Sequence, residues 1–287
     1  MSDSAAPRSL AEALEIRRAR PELVPVAGGT DLMVAVNFGR QRPPGLLDLT
    51  HVDELAGWRL DGDRLFVGAG LTFARVEREL GAFAPLVEAA ASVGSPQIRN
   101  RATLGGNVAT GSPAGDSIPV LAAYDADVVV ASRLAERRVR WNDFFLGPKR
   151  TALAEDELVV GLEWPVVAGP ASFTKVGTRN AMVIAVASAC LQLDPEARTV
   201  RLALGSVAPT VVRAPEAEAF AAAMVDWGDP GRTASGEVAT EFGRLASRAA
   251  HPIDDVRGSA SYRQHAVDVL ARRALTRALA DWRAAPC

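Results

Sequence analysis

Apolar positions recur along this chain in two regimes, and the change falls at residues 165–170 (PVVAGP), a plausible linker. Before it, short apolar runs are separated by glycine-containing breaks. Ser9-Leu10-Ala11-Glu12 is a capping box and predicts a helix to about Arg18, with Leu10 and Leu14 on one face. Residues 23–27 read as a short buried strand that runs into a glycine pair. Thr30 or Asp31 then caps a helix to about Phe38, ended by Gly39. Residues 46–49 predict another strand. Residues 58–60 and 65–67 flank Asp61-Gly62-Asp63, a hairpin signal. Thr72 caps a helix to about Leu80, and residues 84–93 predict a helix closed by Gly94. Residues 128–131 and 138–141 predict a second hairpin, residues 142–145 begin a short helix, and residues 157–164 predict a strand.

After the linker the pattern simplifies. Residues 171–176, 185–193 and 199–207 are three strands with the spacing of a meander, and the rest is helical: 214–225, 236–250 and 259–283. The last helix carries Val267, Leu270, Ala274, Leu275 and Leu279 on one stripe. A three-stranded antiparallel sheet with helices on one face is the simplest closed arrangement. The expectation is an α+β protein in two domains, residues 1–167 and 168–287, the first in two parts with a break near residue 52.

Composition narrows the function. With 287 residues, 48% hydrophobic and 23% charged, the chain has apolar surface for two cores. A net charge of −2 advertises no basic face, so nucleic acid is an unexpected partner. The start lacks a signal-peptide pattern and no apolar run reaches membrane-spanning length, so a cytoplasmic protein is expected. Cys190 and Cys287 form no metal-binding cluster, so no metal site is expected on this chain. Lys149 and Lys175 are the only lysines among 32 basic residues, which marks Lys175 as a functional candidate.

Two glycine-rich stretches carry the candidate chemistry: VAGGTDL, with Gly28, Gly29, Thr30 and Asp31, and ATLGGNVATGSPAGDSIP, with Gly105, Gly106, Asn107 and Asp116. Glycine pairs permit positive φ and leave amides bare, and successive amides form a donor nest suited to phosphate oxygen. Asp116 adds an acceptor suited to a ribose hydroxyl. Two such turns are able to grip the two ends of one diphosphate. Arg99 and Arg101 have two readings, charges near the phosphates or solvated loop charges, and the second is favoured. There is no GxGxxG, P-loop or GxSxG, and His51, His251 and His265 lie far from the glycine turns in sequence. A diphosphate site without an acid–base machine favours a bound redox cofactor.

AGGTDL (27–32), TLGGN (103–107) with SPAGD (112–116), FTKVGTRNAMVIAVA (173–187) and IDDVRGSASYRQHAVDVLARRA (253–274) together resemble the FAD-binding medium subunit of the molybdenum hydroxylase family. That family includes the carbon monoxide dehydrogenase medium subunit and the xanthine dehydrogenase FAD-binding subunit. The resemblance implies a two-part FAD domain of the PCMH type, vanillyl-alcohol-oxidase-like, followed by a carbon monoxide dehydrogenase flavoprotein C-terminal domain. It implies that Gly28, Gly29, Thr30 and Asp31, with Pro25, Val26, Ala27 and Leu32, wrap the FAD diphosphate. Thr103, Leu104, Gly105, Gly106 and Asn107 would form the second turn, Asp116 would hold the ribose or adenosine portion, Lys175 the flavin end, and Ile184 would lie near the isoalloxazine. No catalytic residue is implied.

The implied function is electron transfer. Iron–sulfur clusters on a partner would supply electrons to non-covalent FAD here, and an external acceptor would receive them. Molybdopterin and the two-iron two-sulfur clusters belong on large and small partner subunits, since two cysteines do not ligate such clusters. The implied assembly is a dimer of heterotrimers. A self-sufficient FAD oxidoreductase and a flavin-less assembly scaffold stand as alternatives.

Overall fold

A computed structural model describes residues 4–233 and 235–284. The chain divides into two compact units. One comprises the residues up to Glu79, Ser95–Gly111 and Asp125–Val166; the other comprises Leu80–Gly94, Ser112–Tyr124 and the residues from Val167 on.

The first unit holds a five-stranded antiparallel sheet in the order Trp58–Asp61, Arg64–Gly68, Leu158–Pro165, Asp127–Ala131, Glu136–Arg140. Both predicted hairpins are present in it, Trp58 facing Val67 and Asp127 facing Arg140. The capping box forms: Ser9 Oγ accepts from the amide of Glu12 and starts the helix Leu10–Ala19. Ala13 and Leu14 of that helix share a core with Val129, Val160, Leu47 and Leu55. Beside it, Val24–Val26 and Leu46–Asp48 form a two-stranded parallel pair. This pair fixes the exit direction of the chain into the first glycine motif.

The second unit is a sheet of four strands, one more than expected: Ala171–Val176, Ala187–Asp194, Thr199–Gly205 and Val212–Arg213, all antiparallel. The extra strand has two residues, too short for a periodic signal. On one face Ala187, Ala189, Leu191, Leu193, Leu202 and Leu204 pack against the helices Pro215–Met224, Ser235–Arg248 and Ala260–Ala284, and Val267, Leu270, Leu275 and Leu279 are buried as their stripe predicts. Each such buried Leu or Val contributes about 1.5–3 kcal/mol relative to exposure.

The expectation of helices on one face only is corrected. The opposite face carries Ser188, Cys190 and Gln192, all buried, and is covered by Ala84–Ser92 and Ile118–Ala123. These helices come from far earlier in the chain. The Phe173 amide donates to Glu88 Oε2 at 2.7 Å, and the Arg213 guanidinium donates to the Ala122 carbonyl at 3.1 Å. Cys190 is fully buried, with its thiol pKa pushed up by burial. Cys287 lies outside the described residues.

Candidate functional site

In the first unit, the strand Val24–Val26 runs through Ala27 and Gly28 to Gly29, which takes φ +73°, and then into the helix Leu32–Asn37. Among the described residues the amides of residues 28–32 donate to no acceptor, so this turn has the free donors expected of it. The expected side-chain cap is absent: Asp31 stands at the N-cap position but makes no capping hydrogen bond. Its carboxylate is 3.5 Å from Lys149 Nζ instead. Pro25, Val26, Ala27 and Leu32 are half-buried around the turn.

The second glycine motif differs from its expected form. It is not a turn with positive φ but the first turn of the helix Leu104–Thr110, and neither Gly105 nor Gly106 has positive φ. Nor are its amides bare. Leu104 donates to the Leu71 carbonyl at 2.9 Å, Gly105 to the Ala69 carbonyl at 2.8 Å, and Asn107 to the Thr103 carbonyl at 3.1 Å. Gly106 donates to Thr103 Oγ1 at 3.1 Å, so Thr103 is the N-cap. Glycine is required at 105 by packing: an added Cβ would stand 2.4 Å from Ala69 Cβ. Gly106 is exposed on the same helix turn.

The two motifs nevertheless come together. A Cβ on Gly28 would stand 2.0 Å from the Arg101 carbonyl oxygen and 2.9 Å from Ala102 Cα, so only glycine lets the first turn lie against the approach to Thr103. Between them is a cleft of about 160 Å³ lined by Ala27, Gly28, Leu49, Thr50, Val52, Ala56, Gly70, Thr72, Asn100, Arg101 and Thr103. That volume suits phosphate-sized groups rather than a whole dinucleotide. Arg99 is not a solvated loop charge: it pairs with Glu77 at 2.8 Å. Arg101 is exposed and lines the cleft. Gly70, Thr72 and Asn100 join the cleft without a site signal in the sequence. Thr72 was visible as a helix cap, and its bridge to Thr103 is a tertiary pairing with no local signal.

In the second unit, Asp116 and Lys175 engage each other. Lys175 Nζ donates to Asp116 Oδ2 at 2.6 Å and to the Ser92 carbonyl at 2.8 Å, and the two side chains are 8% and 9% exposed. Asp116 Oδ1 is buried with no hydrogen-bond partner among the described residues. Burial pushes the Asp116 carboxyl up to about 6, against the opposing pull of the Lys175 ammonium and Ser92. Ile184 is 54% exposed, in the connection between Ala171–Val176 and Ala187–Asp194, where Met182 takes φ +51°.

Among the described residues there is no group of three or more His, Cys, Asp and Glu side chains placed to hold a metal ion. No described helix is long and apolar enough to cross a membrane.

Comparison with known proteins matches two family models in sequence. Residues 1–167 match the FAD binding domain in molybdopterin dehydrogenase, and residues 172–278 match the CO dehydrogenase flavoprotein C-terminal domain. The chain is 30% identical over 287 residues to the carbon monoxide dehydrogenase medium chain of Hydrogenophaga pseudoflava, covering 96% of each. It is 34% identical over 224 residues to a putative xanthine dehydrogenase FAD-binding subunit of Escherichia coli K12, covering 73% of this chain and 75% of that one. A match of 34% to the nicotinate dehydrogenase FAD-subunit of Eubacterium barkeri spans 63% of this chain and 64% of that one. Among solved structures, carbon monoxide dehydrogenase from Hydrogenophaga pseudoflava superposes with a TM-score of 0.86 at 29% identity, covering 97% of each chain. Quinoline 2-oxidoreductase from Pseudomonas putida 86 gives 0.89 at 26% identity, covering 99% and 98%.

Proposed function

The chain belongs to the family of FAD-binding subunits of molybdopterin dehydrogenases, and on that premise we propose that this oxidoreductase subunit is the electron-transferring flavoprotein of a three-part molybdenum hydroxylase. A large subunit holds molybdopterin and oxidises the substrate, and a small subunit holds the iron–sulfur clusters. This chain takes electrons from the clusters and delivers them to an external acceptor. The assembly is a dimer of heterotrimers in the cytoplasm. FAD, when bound, supplies the redox chemistry.

One observation carries the reading: Gly28, with free amides following it, lies against Arg101 and Ala102, so two motifs distant in sequence border one phosphate-sized cleft. A cradle that an added Cβ would fill fits a ligand of close approach. The amides of residues 28–32 would hold diphosphate oxygens, and Arg101 would balance their charge. Thr103 keeps its hydroxyl on Gly106, so its part is to fix the start of the helix Leu104–Thr110, whose Gly106 leaves open surface. Asp116 Oδ1 is the acceptor left over for a ribose hydroxyl, and Lys175, with two of three N–H donors engaged, keeps one for the flavin end. Pro25, Val26, Ala27, Leu32, Leu104, Asn107 and Ile184 complete the proposed contacts.

The test is to purify the complex and record its visible spectrum before and after heat denaturation. Flavin bands that leave with the supernatant and match FAD, with two co-purifying chains carrying molybdopterin and iron–sulfur, support the reading. A colourless, folded chain that takes up no FAD overturns it.

A further inference from the structure

Lys149 stands in a place where its residue type needs a reason. The two-residue turn Pro148-Lys149 joins the strands Phe145–Gly147 and Arg150–Thr151, and Lys149 takes φ +55°. Proline followed by a left-handed residue is a turn that glycine or asparagine fills at least cost. The chain has 30 arginines against two lysines, and at another left-handed position, residue 198 (φ +52°), it places arginine. Position 149 holds lysine instead.

Its contacts reach both glycine motifs, and all lie within the first unit. The Lys149 amide donates to the Gly111 carbonyl at 2.9 Å, where Gly111 ends the helix Leu104–Thr110. Its ammonium is 3.5 Å from Asp31 Oδ2, beside the free amides of the first turn. The two side chains are 64% and 62% exposed, so the pair contributes almost nothing to stability, and stability does not explain why a strained lysine is kept there. A compact ammonium on a flexible stem, next to uncapped amides, is instead suited to a phosphate oxygen.

We propose that Lys149 is a further cofactor-binding residue: its ammonium leaves Asp31 and pairs with the diphosphate held at the first glycine turn, while its amide ties that contact to the helix of the second motif. This rests on the FAD reading above. Asp31 then acts as a placeholder that keeps the ammonium at the turn before the cofactor arrives.

The test uses the full chain stripped of flavin and titrated with FAD, with ADP and with riboflavin, which lacks phosphate. Lys149→Met is expected to weaken FAD and ADP about tenfold and to leave riboflavin unmoved. Its melting temperature should match wild type, and the salt dependence of FAD binding should flatten because one charged contact is gone. Lys149→Arg should recover only part of the loss, because a planar, forked guanidinium does not reproduce the compact ammonium. Asp31→Asn, which frees the ammonium and removes a negative charge from beside the diphosphate, should tighten FAD by about two- to fivefold. Wild-type FAD affinity in Lys149→Met overturns the assignment. A loss in Asp31→Asn equal to that in Lys149→Met also overturns it, because Lys149 would then act only as a strap on Asp31. A wild-type chain that takes up neither FAD nor ADP overturns this assignment and the FAD reading together, whereas normal wild-type binding with an unaffected Lys149→Met overturns the assignment alone.

Discussion

Gly28 and Arg101 are in backbone contact that no side chain permits: a Cβ on Gly28 would lie 2.0 Å from the Arg101 carbonyl oxygen and 2.6 Å from its carbon. The obstacle is main chain, so it does not swing aside as a flexible side chain would. Gly28→Ala should therefore destabilise the first unit by about 2–3 kcal/mol through overpacking, which lowers Tm by roughly 5–10 °C, and strip the flavin. Differential scanning calorimetry and the 450 nm absorbance of purified protein check both. Unchanged values would mean that the contact relaxes at no cost.

Gly106 should separate fold from ligand. It is exposed in a helix, where alanine is favoured over glycine by about 1 kcal/mol, and an added Cβ meets only Thr103 Oγ1, at 3.0 Å. Gly106→Ala is expected to hold or raise Tm while reducing flavin occupancy. A variant that retains full FAD would remove position 106 from the cofactor surface.

The buried pair in the second unit makes a steeper prediction. Lys175→Met leaves the Asp116 carboxylate buried without its counter-charge. Breaking such a pair from one side costs about 3–5 kcal/mol at neutral pH, whereas replacing both partners by apolar residues is often close to neutral. Urea unfolding should show the single variant well below wild type and Lys175→Met with Asp116→Leu largely restored. Additive losses in the double variant would show that the two side chains do not act as a pair.

The same carboxyl predicts a pH dependence. Its folded pKa of about 6 lies above the ordinary 3.8, so its stabilising contribution is complete below pH 3.8 and is lost as pH rises through about 6. Glu79, Glu157, Glu163 and Asp255 are held below their ordinary values, chiefly by paired arginines and, for Asp255, by the Arg257 amide, and they act in the opposite sense as acid protonates them. Subtracting the unfolding free energy of Asp116→Asn from that of wild type cancels those shared terms. The difference should fall by about 2–3 kcal/mol between pH 4 and pH 7. A flat difference curve would place the carboxyl at its ordinary pKa.

Arg263 is 2% exposed and donates to the Val186 carbonyl at 2.9 Å, the Ser206 carbonyl at 2.6 Å and Ser206 Oγ at 3.2 Å, and pairs with Asp255 at 2.6 Å. Arg263→Met should cost about 3–5 kcal/mol because it leaves buried acceptors unpaired. Hydrogen exchange should report the loss first at residues 253–258 and at residue 186. Uniform acceleration across the second unit would instead indicate global unfolding.

The elements were legible wherever period and punctuation agree. Ser9 with Glu12, the Asp61-Gly62-Asp63 hairpin and the stripe from Val267 to Leu279 are local signals, and each has its local structure. The two glycine motifs were legible as a pair but not in form. Gly105-Gly106 reads as a turn; it is a helix start because Thr103 caps it and because Ala69, distant in sequence, leaves no room for a Cβ at 105. The destination of residues 84–92 and 118–123 was equally invisible. Their apolar character says that they are buried, but the strands that bury them come from beyond residue 170.

That last feature bears on how the protein is made. All residues of the first unit have left the ribosome once Val166 has emerged, yet Ile118, Val120 and Leu121, buried in the finished chain, belong to the other unit. Their sheet partners are still unsynthesised at that moment. The nascent chain must carry two apolar helices uncovered until the strands after Pro170 arrive, which makes this interval the stage at which a chaperone has something to hold.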